Sequence, residues 1–275
     1  MPSTYLKNNL MVFSQIGGRV VFLLLLLVVL PGCPTQPMLA VQAMGTAKGL
    51  NMEFVAIPGG VFEMGCGSWQ KDCDEDEKPT RKVTLGPYEI GKYEVTQKQW
   101  LDTMGSNPSE FLMCGKECPV EQVSWKEIQI FIGKLNGLGY GKFRLPTEAE
   151  WEYACRSGGK PEPYCGGTSV DEVAWYDVKA KSPTSPVGQK RPNGLGLYDM
   201  SGNVWEWVAD RYCIADDNEE SEWINPICED ATSGQYVLRG GSWFNSAQDV
   251  RSTGRNRNSP DYKNVNLGFR LVRLP

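Results

Sequence analysis

Apolar and polar positions fall into distinct regimes along the chain. Residues 20–30 (VVFLLLLLVVL) are an unbroken apolar run, with Lys7 and Arg19 before it. Residues 52–65 (MEFVAIPGGVFEMG) read as two strands turning at Pro58-Gly59-Gly60, and 82–93 reads as further extended chain. Three helix starts follow. Each pairs a Ser or Thr with a Glu or Gln three residues on, so that the two side chains satisfy free backbone donors: Thr96 with Gln99, Ser124 with Glu127, Thr147 with Glu150. They predict helices over 97–104, 125–136 and 148–156. The second sets Trp125, Ile128, Phe131, Ile132 and Leu135 on one face, a core-facing stripe. The acidic stretch 72–78 reads as a solvated loop, with cation binding the alternative. Beyond Gly158 no helical period is present. The pattern there is loops and short strands, ending in extended chain over 267–274, and no internal repeat is seen.

The apolar run is roughly 11 residues, short of the ~20 a membrane span needs and suited to a signal-peptide core. It ends in Leu30-Pro31-Gly32-Cys33. This resembles the bacterial lipoprotein box, in which the cysteine is lipidated and becomes the mature N-terminus. Pro31 departs from the small residue usual there, and the alternative is an ordinary secretory signal followed by a free or paired Cys33. Translation starts at Met1 or Met11. Residues 34–51, rich in Pro, Gln, Ala and Gly, suit a flexible tether. The expected organisation is therefore a signal segment (1–33), a tether (34–51) and one domain (52–275), in a protein exported and lipid-anchored to a bacterial cell envelope.

Composition changes this picture in three ways. Of the 275 residues, 41% are hydrophobic and 22% charged, as in ordinary globular domains. The net charge of −5 argues against a nucleic-acid partner. The chain has no histidine at all. That excludes a Ser-His-Asp hydrolase, a zinc hydrolase with histidine ligands and a two-histidine iron site.

The nine cysteines add a further point. With Cys33 set aside for lipid, eight remain in an oxidising compartment. They lie in close pairs: Cys66 and Cys73, Cys114 and Cys118, Cys155 and Cys165, Cys213 and Cys228. Four local bridges are the simplest pairing among many. A metal-thiolate cluster, the alternative, lacks both CxxC spacing and histidine help.

Several segments then line up with one family: IPGGVFEMG (57–65), YEVT (93–96), PVEQVSW (119–125), RLPTEAEWEYA (144–154), NGLGLYDMSGNVWEW (193–207), RGGSW (239–243) and NLGFR (266–270). Together they resemble the formylglycine-generating enzyme, or sulfatase-modifying factor, family. The resemblance covers about residues 52–273. It implies an α+β fold of low regular-structure content, related to C-type lectin folds.

The resemblance also implies chemistry. Active members oxidise a sulfatase cysteine to formylglycine with oxygen and a copper ion held by two cysteines, at positions that here are Asn245 and Val250, with Ser242 beside them. Neither residue forms a thiolate, so neither suits soft copper(I), and copper is not expected. An iron-dependent branch that relies on a histidine triad is excluded by composition. A family calcium site around the GNVWEW turn maps onto Asp199, Gly202, Val204 and Glu206, hard oxygen donors that suit calcium. The alternative is that Glu206 forms a salt bridge and Asp199 caps the turn. The stretch bordering the family's substrate groove carries Trp243, Arg251, Arg255 and Arg257, which would bind a carboxylate, sulfate or extended peptide unless the arginines pair internally. In relatives a cysteine at the place of Cys155 pairs with one following the LGFR block. Leu271 stands there, so Cys165 is the remaining partner.

Three functions fit these readings. The first is a surface binding or accessory module, with an unknown peptide, protein or carbohydrate ligand, that keeps the groove without the oxidase pair. The second is a formylglycine-generating oxidase with relocated cysteines. The third is a purely structural envelope lipoprotein.

Overall fold

The computed structural model describes residues 51–177, 184–214, 222–229 and 232–274. The apolar run, Cys33 and nearly all of the tether lie outside them. In chain order the elements are β1 (Phe54–Ile57), β2 (Gly60–Met64), β3 (Arg81–Leu85), β4 (Tyr88–Gly91), α1 (Gln97–Met104), α2 (Trp125–Gly137), β5 (Lys142–Arg144), α3 (Glu148–Cys155) and α4 (Val170–Val173). They continue with β6 (Ala174–Trp175), β7 (Ser201–Gly202), β8 (Trp205–Arg211), β9 (Trp223–Ile224), β10 (Tyr236–Arg239), β11 (Arg255–Asn258), β12 (Leu267–Gly268) and β13 (Val272–Leu274). Strand order is β1-β4-β13-β5 in one sheet, β11-β10-β8-β12 in the second and β2-β3-β9 in the third, with β6-β7 a separate pair. The fold is α+β, with short elements joined by long loops.

Local chemistry explains the helix starts. Thr96, Ser124 and Thr147 each accept from the backbone N–H three residues on, and Gln99, Glu127 and Glu150 each reach back to the cap backbone. The stripe on α2 buries Ile128, Phe131, Ile132 and Leu135. Phe131 stacks on Trp100 of α1 at 5.0 Å, and Phe269 closes edge-on against both rings. All eight residues of α3 are buried, its glutamates included.

Elsewhere tertiary contacts decide. The two strands around Pro58-Gly59-Gly60 do not pair with each other: β1 pairs with β4 and β2 with β3. The extended stretch at 82–93 breaks at Gly86-Pro87 into β3 and β4. The acidic stretch is solvated only in part, with Asp72, Asp74, Glu75 and Lys78 exposed. It makes a short 3-10 turn over Glu75–Glu77, and Glu77 is buried, accepting from both Arg251 terminal nitrogens at 2.6 and 2.7 Å and from Thr253.

Four disulfides join the neighbouring pairs: Cys66–Cys73, Cys114–Cys118, Cys155–Cys165 and Cys213–Cys228. Bridges of this kind mark a domain that matures in an oxidising, exported setting. Among the described residues no helix is long and apolar enough to cross a membrane.

Candidate functional site

The RGGSW block leaves β10 through Gly240 and Gly241, whose φ angles of 92° and 72° suit glycine. It delivers Ser242 into a fully buried position. Ser242 Oγ donates to Asn245 Oδ1 at 2.5 Å and accepts from Asn266 Nδ2 at 3.1 Å. Val250 is fully buried in a small cluster with Val173 and Ala174. The expected copper positions therefore hold an amide committed to a serine and an aliphatic side chain in the core. Soft donors for copper(I) are absent from this set, and the cysteines of the described domain are all bridged.

An aromatic step begins at the residue after Ser242. Phe111 packs edge-on against Trp243 at 5.8 Å, and Trp243 against Phe244 at 5.5 Å. Phe244 is 72% exposed, and Leu112 and Met113, next to Phe111, are 58% and 99% exposed. The step is held from beneath. Glu121, fully buried, accepts from the backbone N–H groups of Glu110 and Phe111, and the Cys114–Cys118 bridge closes the same loop. The Trp243 backbone N–H donates to the Asn203 backbone carbonyl, and Asn203 Nδ2 donates to Glu94 at 2.7 Å. Phe111, Leu112 and Met113 were not among the residues singled out in the sequence. The signal for them is an apolar triple inside a polar loop just ahead of Cys114.

The three candidate groove arginines separate. Arg251 is 4% exposed and bound to Glu77 and Asp74. Arg255 grips Glu148 at 2.7 and 3.0 Å. Both pair internally and are not free groove residues. Arg257 is exposed, with its guanidinium 4.0 Å from the Tyr212 ring centroid.

Of the candidate calcium residues, the carboxylates of Asp199 and Glu206 lie within electrostatic reach of each other, and Glu94 joins them. Asp199 Oδ2 accepts from Gly188 N–H at 2.7 Å, while Oδ1 is buried with no hydrogen-bond partner. Burial raises the Asp199 carboxyl to about 6. Glu94, fully enclosed, accepts from Asn203 and from the Val204 N–H, and burial, then the charges of Asp199 and Glu206, push it well above the usual range. Glu206 takes a bidentate grip from Arg270 and a 2.8 Å bond from Trp151 Nε1, so its acceptor sites are filled. The salt-bridge alternative describes Glu206. Asp199 Oδ1 is the one carboxylate oxygen of this cluster left without a hydrogen-bond partner. Three carboxylates, those of Glu94, Asp199 and Glu206, face one guanidinium here, that of Arg270.

Comparison with known proteins gives the family. Residues 41–275 match the sulfatase-modifying factor enzyme 1-like domain. The chain is 30% identical to the chaperone protein LppX of Paenibacillus barcinonensis, over 80% of this chain and 89% of that protein. It is 28% identical to the inactive C-alpha-formylglycine-generating enzyme 2 of Bos taurus, over 88% and 96%. Among solved structures it superposes on Treponema denticola variable protein 1 with a TM-score of 0.73 at 29% identity, covering 82% of this chain and 95% of that one. The chain belongs to the sulfatase-modifying factor family.

Proposed function

We propose that this protein is a non-oxidase member of its family: an envelope-anchored accessory module that holds an extended apolar peptide segment of a partner protein. One observation carries this reading. Phe244, Leu112 and Met113 are exposed beside the half-buried Phe111 and Trp243, on the segment that leads into Asn245, the place of one family copper cysteine. Monomeric proteins seldom leave such contiguous apolar surface without a partner. The similarity to a protein named a chaperone and to one named inactive agrees with it.

The test is a peptide-binding assay with photo-crosslinking. Trp243→Ala with Phe244→Ala is expected to weaken binding at least tenfold, since central aromatic anchors contribute about 2 kcal/mol or more each. Crosslinks confined to other faces, or unchanged affinity, would overturn the reading. The same preparation, supplied with copper and a reductant, is expected to leave a sulfatase-type cysteine peptide unoxidised. Aldehyde formed over multiple turnovers, seen by mass spectrometry, would establish the oxidase reading instead.

Two further features belong to the proposal. Calcium is held at Asp199 with the Gly202 and Val204 carbonyls, while Glu206 serves Arg270. Adding calcium to chelator-treated protein is expected to raise its melting temperature by mass action, and Asp199→Ala to remove that increment. An equal increment in the variant would place the ion elsewhere. The anchor is Cys33. Cys33→Ser is expected to shift the protein to the soluble fraction and abolish labelling by a fatty-acid analogue, and surviving label would refute the anchor.

A further inference from the structure

A second cavity, of about 430 Å³, shares no residue with the aromatic step. That volume accommodates a guest the size of an amino acid. Among the described residues its walls include Met64, Ala149, Trp223, Ile227 and the Cys213–Cys228 bridge, all apolar surface. Its floor is acidic, yet the carboxylates there are not equivalent. Glu77 holds Arg251, Glu148 holds Arg255, and Glu152 holds Arg156 and Arg239 at 2.7 and 2.6 Å.

Asp210 is the exception. It is 5% exposed and lines the cavity. Its Oδ2 accepts from Glu148 N–H at 2.7 Å and its Oδ1 from Cys228 N–H at 2.9 Å. Among the described residues no cation reaches it. Arg255 is on Glu148, Arg211 lies over Tyr236 at 5.1 Å, Arg81 stacks on Trp223 at 4.7 Å, and Lys78 is exposed at the rim. Each Asp210 oxygen keeps a second lone pair for a further donor.

We propose that this cavity binds a small ligand carrying a protonated amine on an apolar body, with the ammonium on Asp210. A buried carboxylate held by two N–H groups but lacking a counter-charge is stabilised by a donor that brings positive charge, and the apolar walls take up the rest of the ligand. Burial, then the nearby charges of Glu148 and Glu150, push the Asp210 carboxyl up to about 7. An alkylamine stays protonated through neutral pH. Binding therefore strengthens as pH rises through that value and Asp210 ionises, while Glu148, held by Arg255 and Arg239, keeps its charge.

The experiment titrates the full chain with isoamylamine and, as the charge-reversed control of similar shape, 4-methylpentanoate. Nuclear magnetic resonance follows the Glu148 and Cys228 amides. The amine is expected to shift both saturably, about tenfold more tightly at pH 8 than at pH 6, and the acid to leave them unmoved. Asp210→Asn removes the charge and is expected to weaken the amine at least tenfold, the weight of a charge-assisted bond. If that variant fails to fold, Ile227→Trp, at a position 46% exposed on the rim, fills the cavity and is expected to block binding. Equal binding of the acid, full binding by Ile227→Trp, or no saturable shift with the amine each overturns the proposal.

Discussion

Arg270→Ala is expected to lower the melting temperature by roughly 6–20 °C. The residue is fully buried, as is Glu206 opposite. Removing one partner of such a pair costs about 3–5 kcal/mol, because the other is left charged and unpaired. Each kcal/mol moves the midpoint of a domain this size by roughly 2–4 °C. Arg270 does more than neutralise Glu206. Its other N–H groups donate to the carbonyls of Gly91 and Tyr198, so one guanidinium ties β4, the Asp199 turn and β8 together. It is also the cation nearest a cluster that contains Glu94 and Asp199. Arg270→Lys keeps the charge and loses the fork, so it is expected to fall between wild type and alanine. Thermal and urea denaturation measure both variants. A loss below about 1 kcal/mol for alanine would mean that the Arg270–Glu206 pair adds little to the stability of the fold.

Reduction of the disulfides is expected to unfold the domain at room temperature. The bridges close short loops, with sequence separations of 7, 4, 10 and 15. Loops of that length stabilise by about 2–3 kcal/mol each in the chain-entropy account. Four together rival the whole stability of an ordinary domain, about 5–15 kcal/mol. Near-ultraviolet circular dichroism after reduction and alkylation reads the result, and thiol titration of the unreduced, unfolded mature chain is expected to find none free. A reduced protein melting within about 5 °C of the oxidised one would show that the core alone suffices.

Features set within a few residues were legible in the sequence, and those set across the chain were not. The capping boxes at Thr96, Ser124 and Thr147 each involve partners three residues apart, so the helix starts could be read directly. The cysteine pairs were legible for the same reason. Glu77 looked like one more solvated acid, because the arginine that buries it lies 174 residues away. Glu94 escaped notice likewise, with Asn203 at a separation of 109. Motif blocks placed Asp199 and Glu206 in one turn, but nothing local distinguishes a glutamate kept for Arg270 from one kept for a cation. The Phe111 loop has no periodicity to reveal that it meets Trp243.

The bridges also bear on the order of events during export. Each cysteine of the described domain pairs with its next neighbour in sequence: first with second, third with fourth, and so on to the eighth. A chain threading N-terminus first into an oxidising space thus presents every thiol's correct partner before any later competitor has emerged. Closing so short a loop costs little chain entropy. Pairing can proceed as fast as the chain arrives, with no mispaired bridge to undo by thiol exchange, which is slow without a catalyst. Maturation of this domain is therefore expected to need an oxidant and no disulfide isomerase.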